Sequence, residues 1–201
     1  MLVPGPGAGA GPGVLDPWPL GVPLLPAREI PWRGEAGSAQ DADMLTLRAA
    51  STDDLAALAT LHAVVHDAHA RHRPDLFAGE PSPDALEALL TTRLSEPDVT
   101  FLLAETPDGE ALGYAMARVV RREESTLFRP ETFLSLQQIA VAPGASRGGV
   151  GSALLEGVRA LGRAAGCRRL VTDVWDFNEG ARSFYRACGF RPLNSKLEQE
   201  L

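Results

Sequence analysis

LQQIAVAPGASRGGVGSALL, residues 136–155, decides the fold when read together with LVTDVWDFNEGARSFYRACGF, residues 170–190; fourteen residues separate the two. The first stretch begins as a β-type run that stops at Pro143. A glycine-rich turn follows and opens a helical pattern near Gly149. The second stretch begins as another β-type run and leads to Asn178 and then Tyr185 on a short helix. Backbone N–H groups at such a turn and helix start point one way and attract an anion.

Outward from this centre the signals are regular from Met44 on. Met44 to Arg48 alternates as a short strand. Ser51 or Thr52 caps a helix whose first turn holds Asp53 and Asp54, where acidic side chains suit the helix dipole. Leu55, Leu58, Leu61 and Val65 give it an apolar stripe, and Pro74 marks its latest end. A second helix is predicted over 83–95, with Leu86, Leu89, Leu90 and Leu94 facing inward. Strands over 99–105 and 111–120 flank the turn Pro107-Asp108-Gly109-Glu110 as a hairpin. A polar loop over 121–131 precedes a strand (134–142), a helix (149–165), a strand (169–175) and a helix (179–188). Leu193, Leu197 and Leu201 fit one face of a last strand. The class is α/β (α+β by some schemes), a mixed sheet flanked by helices.

Residues 1–43 differ in kind. They hold 8 of the chain's 16 prolines, and such a segment sustains neither a helix nor a sheet ladder. It is expected to be a disordered leader ahead of one domain, 44–201. Trp18 and Trp32 would then dock on the domain or on a partner; translation starting at Met44 is the alternative.

At 201 residues the chain is long enough to bury a core. A net charge of -7 argues against a nucleic-acid-binding surface and is compatible with a cationic, amine-bearing substrate. Cys167 and Cys188 have neither CxxC spacing nor a framework around them and read as reduced thiols. No run approaches the roughly 20 apolar residues that span a bilayer, so no membrane association is expected. The N-terminus lacks a basic n-region, since Arg28 is its first basic residue, and the expected compartment is the cytoplasm.

Three phosphate-binding loops compete for the turn 144–151. A Walker-type loop needs Lys and then Ser or Thr after its last glycine, where Val150 and Gly151 stand. A dinucleotide fingerprint starting at Gly149 wants a small residue at Leu154 and an early βαβ unit. The third fits: Ser146-Arg147-Gly148-Gly149-Val150-Gly151 resembles the acyl-CoA loop of the GNAT superfamily of N-acetyltransferases. Ser146 departs from the long polar side chain usual there, and Arg147 is expected to supply the charge. Asn178, Ala181, Phe184, Tyr185, Gly189 and Phe190 match the superfamily's downstream segment closely. These motifs cover 134–191; residues 44–133 match in element order only.

The resemblance implies a GNAT-like, mostly antiparallel sheet of about six to seven strands and an acetyl-CoA-dependent N-acetyltransferase acting on a primary amine, as monomer or homodimer. It implies splayed strands ending at Val141 and beginning near Arg169, so that Ile139, Ala140 and Val141 pair with pantetheine like an added strand. Arg147, Gly148, Gly149, Val150, Gly151 and Ser152 would hold the phosphates. Asn178 would cap the last helix or bond the pantetheine arm. Tyr185 would protonate the departing CoA thiolate, a plausible transfer from a phenol of pKa about 10 to a thiolate of about 8.5. Phe184 and Phe190 read as core.

Direct attack needs a neutral amine and hence a proton acceptor. Gln137 stands at a position where family members may carry an acid, and it cannot act as a base. Asp173, five residues before Asn178, is the candidate, with Glu131 and Glu124 as alternatives. His62, His66 and His69 share one helix face, with His72 a turn further on. Ligands stacked along one helix do not close a tetrahedron around zinc, so no metal is expected. They form a solvated face or, with the loop 71–77, a wall of the acceptor pocket. The alternative to an enzyme is a non-catalytic acyl-CoA-binding module of the same fold, or an interaction protein whose leader recruits a partner.

Overall fold

The computed structural model describes residues 45–200; the expectations for the leader, Met44 and Leu201 lie outside them. In chain order the elements are β1 (Thr46–Ala49), α1 (Leu55–His72), α2 (Pro83–Leu94), β2 (Val99–Glu105), β3 (Ala111–Arg122), β4 (Glu131–Val141), α3 (Val150–Ala164), β5 (Leu170–Thr172) and α4 (Glu179–Ala187). The sheet order is β1-β2-β3-β4-β5; every neighbouring pair is antiparallel except β4 and β5, which are parallel. The mixed, mostly antiparallel class is therefore as expected.

Two apolar layers sandwich this sheet. On one face α3 buries Val150, Ala153, Leu154 and Val158 against Leu47, Leu102, Ala115, Leu134 and Leu136, and Tyr185 of α4 joins them. The i, i+3, i+4, i+8 spacing makes this stripe. On the other face Leu58 and Leu61 of α1 and Leu86 and Leu90 of α2 cover Phe101, Leu103, Tyr114 and Ala140. β2, inside both layers, is almost continuously apolar. Ser51 starts the first helical segment through a capping box: Asp53 N–H donates to Ser51 Oγ at 3.2 Å, and Ser51 N–H to Asp54 Oδ2 at 2.8 Å. Ser82 caps α2, with Pro83 in its first turn.

The described residues form five strands, fewer than the about six to seven expected. Residues 193–200 join no strand, and Leu193 and Leu197 are exposed. The physical reason lies in the alternation: the face that would carry these leucines also carries Ser195 and Gln199, so it has too little to bury. β5 is shorter than the 169–175 expected, for a reason found in the site.

Candidate active site

β4 sets the geometry. Against β3 its register shifts between Met116 and Ala117, which pair with Gln138 and Leu136, so Gln137 is the extra residue of a β-bulge. A bulge resets side-chain alternation. Leu134 and Leu136 face α3 before it, and Ile139 and Val141 face α3 after it, while Ala140 turns to the α1 layer. The glutamine in the position noted for a base is thus a bulged, exposed residue.

β5 pairs with β4 only from Leu134↔Leu170 to Leu136↔Thr172. Beyond Leu136, β4 continues to Val141 with no strand on that side among the described residues, and the two strands part as a fork. The chain after Thr172 leaves the sheet because Trp175 and Phe177 pack on α1 instead. Trp175 lies 6.1 Å from the His69 ring and 5.5 Å from Phe77, and Phe177 stacks on His72 at 4.4 Å.

At the end of β4 the turn opens α3. Arg147 and Gly149 both take positive φ, 67° and 82°; glycine accommodates this readily and arginine does not. The α3 start has no side-chain cap. The N–H groups of Arg147, Gly149, Val150, Gly151 and Ser152 have no intramolecular acceptor among the described residues, whereas Ala153 N–H already bonds Gly149 O at 3.0 Å. A Cβ added at Gly151 would lie 3.5 Å from the Phe184 ring and 3.8 Å from Val141 Cγ2, so the turn, the β4 end and α4 meet at one place.

Tyr185 is buried between Phe184 and Phe190, with ring centroids 5.4 and 5.2 Å away. Burial raises its phenol pKa, opposed by the nearby Thr172 hydroxyl. Thr172 donates to Leu136 O at 3.0 Å, so Tyr185 lies beside the last rung of the β4–β5 ladder, the apex of the fork. Asn178 Oδ1 accepts from Ala181 N–H at 3.0 Å and caps α4, which leaves its side-chain amide N–H groups as the part free for another partner.

The acidic candidates fare differently. Asp173 follows β5 directly and is exposed on the fork. Glu131 is held by Arg122 at 2.8 Å and Arg169 at 2.7 Å, so its carboxylate is engaged. Glu124 lies exposed in the loop between β3 and β4. The α1 histidines divide in two. His69 and His72 join the cluster of Phe77, Trp175 and Phe177, and burial lowers the pKa of His69. His62 turns instead to Tyr114. Among the described residues no group of three or more His, Cys, Asp or Glu is placed to hold a metal ion. No helix among them is long and apolar enough to cross a membrane. The aromatic cluster escaped the sequence reading because it joins three distant segments; the aromatic-rich Trp175-Asp176-Phe177 after a strand was its only local trace.

The arrangement matches known proteins. The sequence pattern of the acetyltransferase (GNAT) family covers residues 46–190. An aminoglycoside N(6')-acetyltransferase type 1 of Stenotrophomonas maltophilia is 39% identical over 114 residues, 54% of this chain and 71% of that protein. Its namesake from Klebsiella aerogenes is 33% identical over 117 residues, 58% of this chain and 74% of that protein. Among solved structures, a mutant of the BH1408 protein of Bacillus halodurans superposes with a TM-score of 0.72 at 23% identity, covering 77% of this chain and 98% of its own. The aminoglycoside N-acetyltransferase AAC(6')-Iy, solved with CoA, gives 0.60 at 21% identity over 89% of this chain and 99% of its own. At such identities the solved structures speak for the fold. The chain belongs to the acetyltransferase (GNAT) family and is an N-acetyltransferase that uses acetyl-CoA to acetylate an amine.

Proposed function

We propose that the acceptor is the primary amine of an amino sugar of the aminoglycoside class, acetylated by direct attack in a ternary complex at the fork. The observation that carries this reading is the β4 edge beyond Leu136, unpaired among the described residues, beside open turn amides and with Tyr185 next to its apex. Ile139, Ala140 and Val141 offer pantetheine an added-strand partner. The N–H groups of Gly149 through Ser152 and the Arg147 guanidinium face the phosphates, with Gly148 letting the turn approach closely and the amide of Asn178 beside the pantetheine arm. Tyr185, kept protonated by burial, gives its proton to the thiolate. Asp173, an exposed carboxylate at the fork, draws the cationic acceptor in. The aminoglycoside class itself rests on the names of the relatives, and the net charge of -7 suits a polycation. We assign the protein to the cytoplasm, where acetyl-CoA is made, as a monomer or homodimer.

The test is thiol release from acetyl-CoA with two aminoglycosides, one bearing a 6'-amine and one a 6'-hydroxyl. Turnover with the first alone supports the reading. A thermal shift with acetyl-CoA and no turnover on any amine in a broad panel replaces it with the non-catalytic acyl-CoA-binding module.

A further inference from the structure

We infer that His62 is the base that receives the proton lost by the acceptor amine, held in the required tautomer by Tyr114 and Gln138. The inference rests on the acetyltransferase reading of the fork. Its first support is position. Gln138 directly follows the bulge at Gln137, just past Leu136, the last β4 residue paired with β5. Tyr114 and the residues packed with it lie on the α1 face, whereas Tyr185 belongs to the α3 face. Base and acid thus flank the sheet edge from opposite faces. Attacking nitrogen and leaving sulfur also take separate positions about the tetrahedral carbon.

The second support is proton accounting. The Tyr114 hydroxyl has one proton and donates it to Gln138 Oε1 at 2.6 Å. His62 Nδ1 lies 3.0 Å from the Tyr114 hydroxyl oxygen. With that proton committed, the hydroxyl can only accept from His62, so the ring carries its hydrogen on Nδ1 and its lone pair on Nε2. Nε2 has no hydrogen-bond partner among the described residues. No fully buried side-chain nitrogen or oxygen among them lacks one, so Nε2 is not sealed off from solvent. An imidazole with one nitrogen fixed and the other bare is the arrangement of a general base.

Its surroundings keep it neutral. Burial of the ring lowers the His62 pKa from its ordinary 6.5, His66 and His69 on the same helix lower it further, and the Gln138 contact opposes them. From β3 the facing titratable group is the Tyr114 phenol, itself raised by burial, and from β4 the neutral Gln138 amide. No α2 group figures among those acting on the ring.

In the reaction the N–C bond forms and the C–S bond breaks. The bound ammonium gives one proton to solvent before attack as the neutral amine. The nitrogen gives its second to His62, and then to solvent, once the N–C bond has formed. Tyr185 protonates the departing thiolate and regains a proton from solvent, so one proton is released overall. N–C bond formation acidifies the nitrogen, so an imidazole of modest basicity suffices.

The experiment compares pH profiles of kcat and kcat/KM for wild type, His62→Gln, Tyr114→Phe and Asp173→Asn, with the best amine found for the wild type. His62→Gln should lose about 10²-fold in kcat and its acid-side inflection, with acetyl-CoA KM and the acetyl-CoA thermal shift unchanged. Tyr114→Phe, which deprives Nδ1–H of its acceptor, should lose less and keep the inflection. Added imidazole should restore activity to His62→Ala, which a purely structural role would not allow. Wild-type-like kcat in His62→Gln, or loss of the inflection in Asp173→Asn instead, overturns the inference while the acetyltransferase reading stands. A wild type that transfers to no amine overturns both.

Discussion

Gly113→Ala adds one methyl group at the most crowded point between β3 and β4. Its Cβ would stand 2.6 Å from Ala140 O, 3.2 Å from Val150 Cγ1 and 3.3 Å from Leu154 Cδ1. The two side chains can yield, but a carbonyl oxygen held in a ladder cannot without moving the strand. Gly113 pairs with Val141, and the next rung is Ala142 N–H to Leu112 O at 2.8 Å. Overpacking costs about 1–3 kcal/mol and a weakened ladder bond about 1 more, so about 2–4 kcal/mol is expected. In a domain of this size that corresponds to a Tm fall of about 4–16 °C. The assay is urea denaturation, where the midpoint should fall with an unchanged slope. Because β4 must shift just where it borders the fork, the KM for acetyl-CoA should also rise. The control is Gly79→Ala, whose Cβ would meet nothing within 4 Å; it should stay within about 0.5 kcal/mol of wild type. If Gly113→Ala matches that control, the close approach of β3 and β4 is wrong.

Gly149→Trp puts a large side chain at a φ of 82° beside the open amides, so it should abolish the thermal shift by acetyl-CoA, which for wild type at about 100 times Kd corresponds to about 2.7 kcal/mol; a retained shift would remove the phosphates from the turn. Asp54→Asn should cost about 1–2 kcal/mol at neutral pH, since the carboxylate bonds Arg48 at 2.6 and 2.8 Å and caps Ser51. The Arg48 hydrogen bond holds the folded pKa of Asp54 below 3.8, so this stability is complete above the unfolded value and disappears as pH falls through the folded one. Denaturation of both proteins across pH should therefore show their difference narrowing below about pH 4; a constant difference refutes the pairing.

Much of the fold was legible because local signals agreed with it. Pro107-Asp108-Gly109 bounds the hairpin, and β2 begins and ends where its apolar run does. Val150, Ala153, Leu154 and Val158 announce α3 by spacing alone. The glycine turn and the Asn178 to Phe190 segment pointed to one site, and the structure brings Gly151, Val141 and Phe184 together there. What stayed hidden depends on partners remote in sequence. The bulge at Gln137 exists only in register with Met116 and Ala117, so no reading of β4 alone predicts which way Gln138 turns. β5 stops at Thr172 because Trp175 and Phe177 find α1, a contact between residues a hundred positions apart. Likewise His62 looks like one of four similar histidines until Tyr114 arrives from β3. Leu193 and Leu197 misled because leucine spacing implies a strand face only when the residues between them on that face are apolar too.

The account turns on Tyr185 as the proton donor at the apex of the fork, and Tyr185→Phe tests it by removing one hydroxyl while keeping the ring between Phe184 and Phe190. Steady-state kinetics and acetyl-CoA binding should be measured on the same preparations, with the best amine acceptor of the wild type. The account predicts a fall in kcat of roughly 10² or more with acetyl-CoA affinity nearly unchanged. Full activity in Tyr185→Phe would contradict it and hand the proton to water.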